Sequence, residues 1–286
     1  MEKLLPDQLK EFWQSVLQKQ RSPEEYTSMQ EHLLADYRKT WEQALLLEGH
    51  QNLPASLLFE LGEYVGCTDR AEIQRRCLHA VANVKQEWQE KVSVVDRPSV
   101  ERFYDESQAM LYELMWWHTL SEDASPLAYV LAWHFAQQQG CRHYLDFGAG
   151  VGSGAILFAR HGVQVALADV SSSLLQFSQW RLNVRELSAE AIDLKTRGLP
   201  SQAFDFVTAM DVFEHLVDPV GAVEQLGAAL KPGGFLFARL GAEEDEDRPQ
   251  HIVQDFGPTF ERLRGLGFVE VWRDDWLWGH QVFQKS

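Results

Sequence analysis

The sequence predicts an α/β protein: a seven-stranded, mostly parallel sheet in the C-terminal half, placed behind an all-helical N-terminal region. Three observations carry this expectation. Up to about residue 140 the apolar residues recur at helical spacing. From Arg142 onward, short apolar runs alternate with helix-like segments. The first of those runs leads directly into a glycine-rich turn, Gly148-Ala149-Gly150-Val151-Gly152-Ser153-Gly154.

The elements follow in order. Residues 5–19 carry a helical apolar pattern. Ser22-Pro23-Glu24-Glu25 is a helix start, with a capping serine, proline at the first position and acids in the first turn, for a helix running to about Gly49. Further helices are expected over 55–65 and from Asp69 to about Lys91, then a linker over 93–98. A helix from Ser99 reaches His118-Thr119, and another from Ser125-Pro126 ends near Gly140. Strands are expected at 144–147, 163–168, 190–193, 204–210 and 235–240, with helices starting at Ser171, at Asp218-Pro219 and near Pro258. The last two strands, 268–273 and 279–284, are separated only by 274–278. That link is too short for a parallel crossover, so the last strand closes the sheet antiparallel. The expected division is a helical region over 1–125 and a sheet domain over 126–286.

Composition narrows the function classes. The net charge of −16 is shared by both parts of the chain, so a phosphate-binding nucleic-acid module is not expected. Cys67, Cys77 and Cys141 are widely spaced and include no CxxC pair, which suggests neither a disulfide framework nor a zinc site and fits a reducing cytoplasm. The first residues lack the apolar run of a signal peptide, and no apolar stretch is long enough to span a bilayer, so no membrane partner is expected. Ten tryptophans, all but Trp180 outside residues 134–271, supply aromatic surface for cores or for an organic ligand.

The glycine turn follows a strand and opens a helix, so its backbone approaches a ligand closely and presents free N–H groups. Gly150, Gly152 and Ala155 also satisfy the GxGxxG/A pattern of dinucleotide-binding folds, and Asp169 at the end of the second strand suits the ribose of either cofactor. Three further features separate the two. Asp146 stands two residues before the first glycine, where a carboxylate suits a cationic amino group and sits poorly beside a pyrophosphate. Ala191-Ile192-Asp193-Leu194 ends the third strand with an acid. The segments Asp205-Phe206-Val207-Thr208-Ala209-Met210-Asp211-Val212-Phe213-Glu214-His215 and Leu230-Lys231-Pro232-Gly233-Gly234 follow in matching order and spacing. Over about residues 126–286 the chain resembles the class I S-adenosylmethionine-dependent methyltransferases, most closely the UbiE/UbiG-like, type 11/12/25 small-molecule group.

The resemblance implies a Rossmann-like sheet and S-adenosylmethionine as cofactor. It implies that Asp146, Gly148, Ala149 and Gly150 line the methionine end, Asp169 and Val170 the ribose, and Asp193 and Leu194 the adenine. Asp211 would lie near the sulfonium. Tyr104, in an FYD-type segment, would fold over the cofactor and touch its carboxylate. The implied reaction is in-line SN2 methyl transfer to a small organic acceptor by a monomer or homodimer, for which placement supplies most of the rate. Where the acceptor must lose a proton, His251 is the first base candidate, then His215 and Asp211. Phe103, Tyr104, Tyr112, Trp116 and Trp117 could form an aromatic wall, or pack a helix onto the sheet. Rival readings are a protein or peptide methyltransferase, and a non-catalytic S-adenosylmethionine-binding partner protein.

Overall fold

In the computed structural model, residues 4–93, 96–241, 245–253 and 255–286 are described. The helical region comprises α1 (Asp7–Leu17), α2 (Pro23–Leu33), α3 (Ala35–Leu45), α4 (Leu53–Val65), α5 (Arg70–Leu78), α6 (Ala80–Lys91), α7 (Arg97–Glu106), α8 (Gln108–Trp117) and α9 (Ala128–Gln138). The Ser22 start is a full capping box with Glu25. Three helices expected to be continuous are each broken in two, at Leu34, His79 and Ser107. At Ser107 the backbone turns extended and the hydroxyl caps α8 by accepting from Met110 N. Leu34 and His79 are single-residue bends without glycine or proline, so the apolar pattern runs through them unbroken. The expected linker is shorter than 93–98, because α7 takes Pro98 into its first turn; residues 94–95 of it lie outside the described residues.

The strands are β1 (His143–Phe147), β2 (Gln164–Asp169), β3 (Glu190–Asp193), β4 (Phe204–Ala209), β5 (Leu230–Arg239), β6 (Phe268–Arg273) and β7 (His280–Lys285). They form one sheet in the order β3-β2-β1-β4-β5-β7-β6. All neighbours are parallel except the pairs made by β7, which is antiparallel to both β5 and β6. The expected seven-stranded Rossmann-like sheet with an antiparallel last strand is therefore the observed one. β5 starts earlier than expected, at Leu230, because the Pro232-Gly233-Gly234 turn is absorbed across a register shift opposite Phe204 and Phe206. Helices α10 (Ser153–Arg160), α11 (Ser172–Asn183), α12 (Pro219–Ala229) and α13 (Gly257–Gly265) are the C-terminal domain's own, and Ser171 and Asp218 cap α11 and α12 as expected. β1 has β2 on one side and β4 on the other. The strand order reverses there, which opens a crevice at the carboxyl ends of the strands.

The two parts share a core. One apolar cluster joins Trp41, Leu45, Leu57, Leu61 and Ile73 of the N-terminal helices to Phe135, Phe158, Tyr144, Phe206 and Phe237. The opposite sheet face packs Leu145, Val207 and Leu236 on Val223, Leu226 and Leu263. A smaller cluster holds Val84, Trp88, Val100, Phe103 and Met110. The change from helices to alternating strands at β1 thus falls within continuous packing. Glu60 on α4 deepens the junction: its two oxygens take Arg181 Nε at 2.8 Å and Arg185 Nη2 at 2.6 Å from α11, and all three side chains are fully buried.

Candidate active site

The glycine turn is built as its residue types require. Gly148, Gly150 and Gly152 all have left-handed φ, of 71°, 52° and 72°. A Cβ on Gly148 would lie 2.4 Å from Val212 Cγ2, so only glycine lets this strand end pass the β4 loop. Arg181 donates from Nη1 to the carbonyl of Val151 and to Ser153 Oγ, which ties the turn to Glu60 in the helical region.

Asp146 serves this scaffold from behind. It is completely buried, accepts from Ala155 N at 3.0 Å, Thr208 Oγ1 at 3.1 Å and the Tyr129 hydroxyl at 3.4 Å, and lies off the cavity wall. Burial pushes its carboxyl up to about 7 against those hydrogen bonds. Its oxygens are engaged in shaping the turn. Asp193 accepts from Ser172 Oγ at 2.6 Å and Lys195 N at 2.9 Å.

The remaining cofactor candidates converge. Gly148, Ala149, Gly150, Asp169, Val170, Leu194, Asp211 and Tyr104 all line one cavity of about 880 Å³, inside the range of ligand pockets, roughly 300–1,000 Å³. Asp169 accepts from Gly150 N and Ser171 N, one at each oxygen, both at 2.8 Å. A carboxylate has about four acceptor sites, so Asp169 keeps capacity for a pair of hydroxyls. Burial pushes its carboxyl up despite those bonds. Tyr104 lines the same cavity, and its hydroxyl oxygen is buried without a hydrogen-bond partner. An orphaned phenol and an unsaturated carboxylate on one wall fit a ligand carrying hydroxyl and carboxylate groups.

The base candidates line the same cavity. Asp211 sits just past β4 with left-handed φ, accepting from Arg239 Nη1 at 2.9 Å. Burial opposes its ionisation, but His280 and Arg239 hold its carboxyl below the usual range. His215 lies against Tyr104 and His251, at ring separations of 6.0 and 4.9 Å. Burial first, and then His251, pushes His215 down to about 4, so it is neutral at pH 7. His251 lines the same wall. The acidic run before it is described only from Asp245; residues 243–244 lie outside the described residues.

The sequence missed several wall residues. His118, at the end of α8, lines the cavity. Arg181 must donate to Ser153 Oγ, so the serine proton goes to His118 Nδ1 at 3.0 Å and Nε2 carries the hydrogen. Burial pushes His118 down to about 3, which leaves a neutral N–H donor. Glu113, Tyr129, Arg239, Trp276, Trp278 and His280 complete the wall, gathered from α8, α9, β5 and the β6–β7 turn. No spacing rule links those positions. Of the five expected wall aromatics, only Tyr104 and Trp117 face the cavity. Phe103 packs on Trp88, Tyr112 takes a hydrogen bond from Arg76, and Trp116 donates to Glu122.

A family model described as a methyltransferase domain matches residues 116–276. The chain belongs to that family, the S-adenosylmethionine-dependent methyltransferases of class I. Proteins named ubiquinone biosynthesis O-methyltransferase are similar to it. That of Coxiella burnetii is 33% identical over 98 residues, 34% of this chain and 42% of that protein. That of Albidiferax ferrireducens is 33% identical over 136 residues, 43% of this chain and 52% of that protein. The chain thus spans about half the length of these curated relatives. Among solved structures, a SAM dependent methyltransferase from Aquifex aeolicus is 16% identical, with 66% of this chain and 97% of that one covered at a TM-score of 0.44. Among the described residues, no helix is long and apolar enough to cross a membrane.

Proposed function

We propose that this methyltransferase transfers a methyl group to a small organic acceptor bound in the cavity beside its glycine turn. The observation that carries the reading is the continuity of that cavity, whose single lining includes the Gly148–Gly150 turn with Asp169 and also His118, His215, His251 and the indoles of Trp117, Trp276 and Trp278. S-adenosylmethionine supplies an activated methyl group on a sulfonium. In this reading Gly148, Ala149 and Gly150 receive the methionine portion, Asp169 accepts from the ribose hydroxyls, and Val170 and Leu194 flank the adenine. Tyr104 donates to the carboxylate. Asp211, held ionised by Arg239, puts a negative charge beside the sulfonium. The acceptor lies among the indoles, and collinear placement of nucleophile, methyl and sulfur supplies most of the acceleration. A hydroxyl acceptor gives up its proton to His251 or His215, the basicity of His215 being depressed by burial.

The name of the relatives supports an oxygen acceptor. The helical residues 1–125 shape the pocket, since Trp13, Tyr104, Glu113 and Trp117 contribute to its wall. The acidic net charge favours a neutral or cationic metabolite over nucleic acid, and three unpaired cysteines fit a cytoplasmic enzyme working as a monomer or homodimer. Radiolabelled methyl transfer from S-adenosylmethionine into a fractionated lysate tests the reading. Label in a low-molecular-weight fraction supports it, label in protein supports the peptide-acceptor rival, and no transfer with intact cofactor binding supports a non-catalytic partner.

A further inference from the structure

We propose that the methyl acceptor is an organic cation, an amine that carries at least one N–H at neutral pH, and that Glu113 on α8 is the carboxylate that receives it. This rests on the reading of the cavity as the acceptor site and narrows the acceptor's class.

Glu113 lines the cavity and is only 8% exposed. Its Oε2 is buried without a hydrogen-bond partner. Its Oε1 faces Arg248 Nη1 at 4.0 Å, beyond hydrogen-bond range, and Arg248 is also drawn to Asp245 at 3.6 Å. Burial pushes the Glu113 carboxyl up, Arg248 opposes that, and Glu122 adds to it. A buried carboxylate short of both cation and donors is costly, and an incoming N–H cation supplies the two together. A quaternary ammonium brings charge but no donor, so it would leave Oε2 unsatisfied.

The charge of the whole lining points the same way. Among the described residues it holds nine carboxylates, three arginines and no lysine. Each arginine already faces a lining carboxylate: Arg97 meets Glu101 at 2.7 Å, Arg239 meets Asp211 at 2.9 Å, and Arg248 meets Asp245. His118, His215 and His280 are neutral at pH 7, because burial pushes them down to about 3, 4 and 4. S-adenosylmethionine brings a sulfonium, an ammonium and a carboxylate, which offsets only part of the acidic surplus. An acceptor carrying a carboxylate or phosphate would find no unmatched arginine among the described residues. An ammonium meets a site still short of positive charge.

The indoles suit the same ion. Trp117 stands one helical turn after Glu113, on the same face of α8. Its Nε1 donates to Asp123 Oδ2 at 3.1 Å and Ser125 Oγ at 3.0 Å, which fixes the ring. Buried Asp274 accepts from the backbone N of Trp276, Leu277 and Trp278, and so sets the turn whose two indoles line the cavity. Indole faces are the best aromatic partners of a cation.

The test incubates the full chain with methyl-labelled S-adenosylmethionine and the small-molecule fraction of a lysate. Labelled products are separated from unreacted S-adenosylmethionine by chromatography and then run by electrophoresis at neutral pH. The main product should migrate as a cation. Glu113→Gln should lower transfer into it by ~10–100-fold, the equivalent of one charge-assisted hydrogen bond. Glu113→Asp, which keeps the charge, should retain more transfer. Both variants should keep the wild-type melting temperature and S-adenosylhomocysteine affinity. A neutral or anionic product, or equal transfer in wild type and Glu113→Gln, would overturn the proposal and leave the methyltransferase reading standing. Loss of S-adenosylhomocysteine affinity in step with transfer would also overturn it, by moving Glu113 to the cofactor. No labelled small molecule, with S-adenosylhomocysteine still bound, would take down the small-acceptor reading and this proposal with it.

Discussion

Two buried polar clusters lie on opposite sides of the glycine turn, and they are finished differently. Behind the turn, Glu60 meets Arg181 and Arg185 at both carboxylate oxygens, and Asp146 accepts from a backbone amide and two hydroxyls. In front of it, the Tyr104 hydroxyl, Glu113 Oε2, His118 Nε2 and both ring nitrogens of His280 are buried without hydrogen-bond partners. Burying an unpaired polar group costs about 1–3 kcal/mol. The rear cluster is the more closed of the two, although Arg181 Nη2 and Arg185 Nε are themselves without partners, and the front cluster is completed by what enters the cavity. Buried polarity alone does not mark a site, but buried polarity left open around a cavity does.

The largest expected effect breaks the rear cluster. Glu60→Ala leaves two guanidinium groups uncompensated in the core and should cost about 3–5 kcal/mol in chemical denaturation. A loss within 1 kcal/mol (~0–1 for an exposed pair) would show that Glu60 behaves as a surface pair.

A smaller effect depends on pH. Burial pushes Asp146 up to about 7, from ~3.9 in the unfolded chain. Between those values the unfolded chain releases a proton that the folded chain keeps, so this contribution to stability is lost as pH rises through the window. Asp146→Asn removes that loss. The variant should therefore gain on the wild type between about pH 4 and pH 7 in paired denaturation curves. A constant difference would mean that the Asp146 carboxyl titrates alike in both states.

The smallest expected effect belongs to the front cluster. Tyr104→Phe removes an orphaned hydroxyl, so the free protein should melt at the same temperature or slightly higher. Affinity for S-adenosylhomocysteine should fall by ~10-fold, the equivalent of one charge-assisted hydrogen bond. A lower melting temperature with unchanged affinity would move Tyr104 to the structural side of the comparison.

Legibility in the sequence follows the same divide. The strand–turn–helix units were readable because backbone demands are local: glycine at positive φ, serine or aspartate at caps, and a short link that forces an antiparallel end strand. Asp169 and Asp211 were readable because strand ends put their residues at the crevice. The hydrogen-bond partners of Asp146 and Asp193 were not legible, because which way a carboxylate turns depends on Tyr129, Thr208 and Ser172, remote in sequence. The breaks at Leu34 and His79 left no mark because tertiary packing, not turn chemistry, sets them. His118, Glu113 and His280 were invisible as a group, since only the folded chain brings α8 and β7 to one wall.

The most direct test of the central claim is calorimetry of S-adenosylhomocysteine binding to wild type and Asp169→Ala. The account predicts one site in the wild type and an affinity loss of ~10–100-fold in the variant, from about 1.5–3 kcal/mol of charge-assisted hydrogen bonding. Equal affinity in the two proteins would contradict it and place the nucleoside elsewhere.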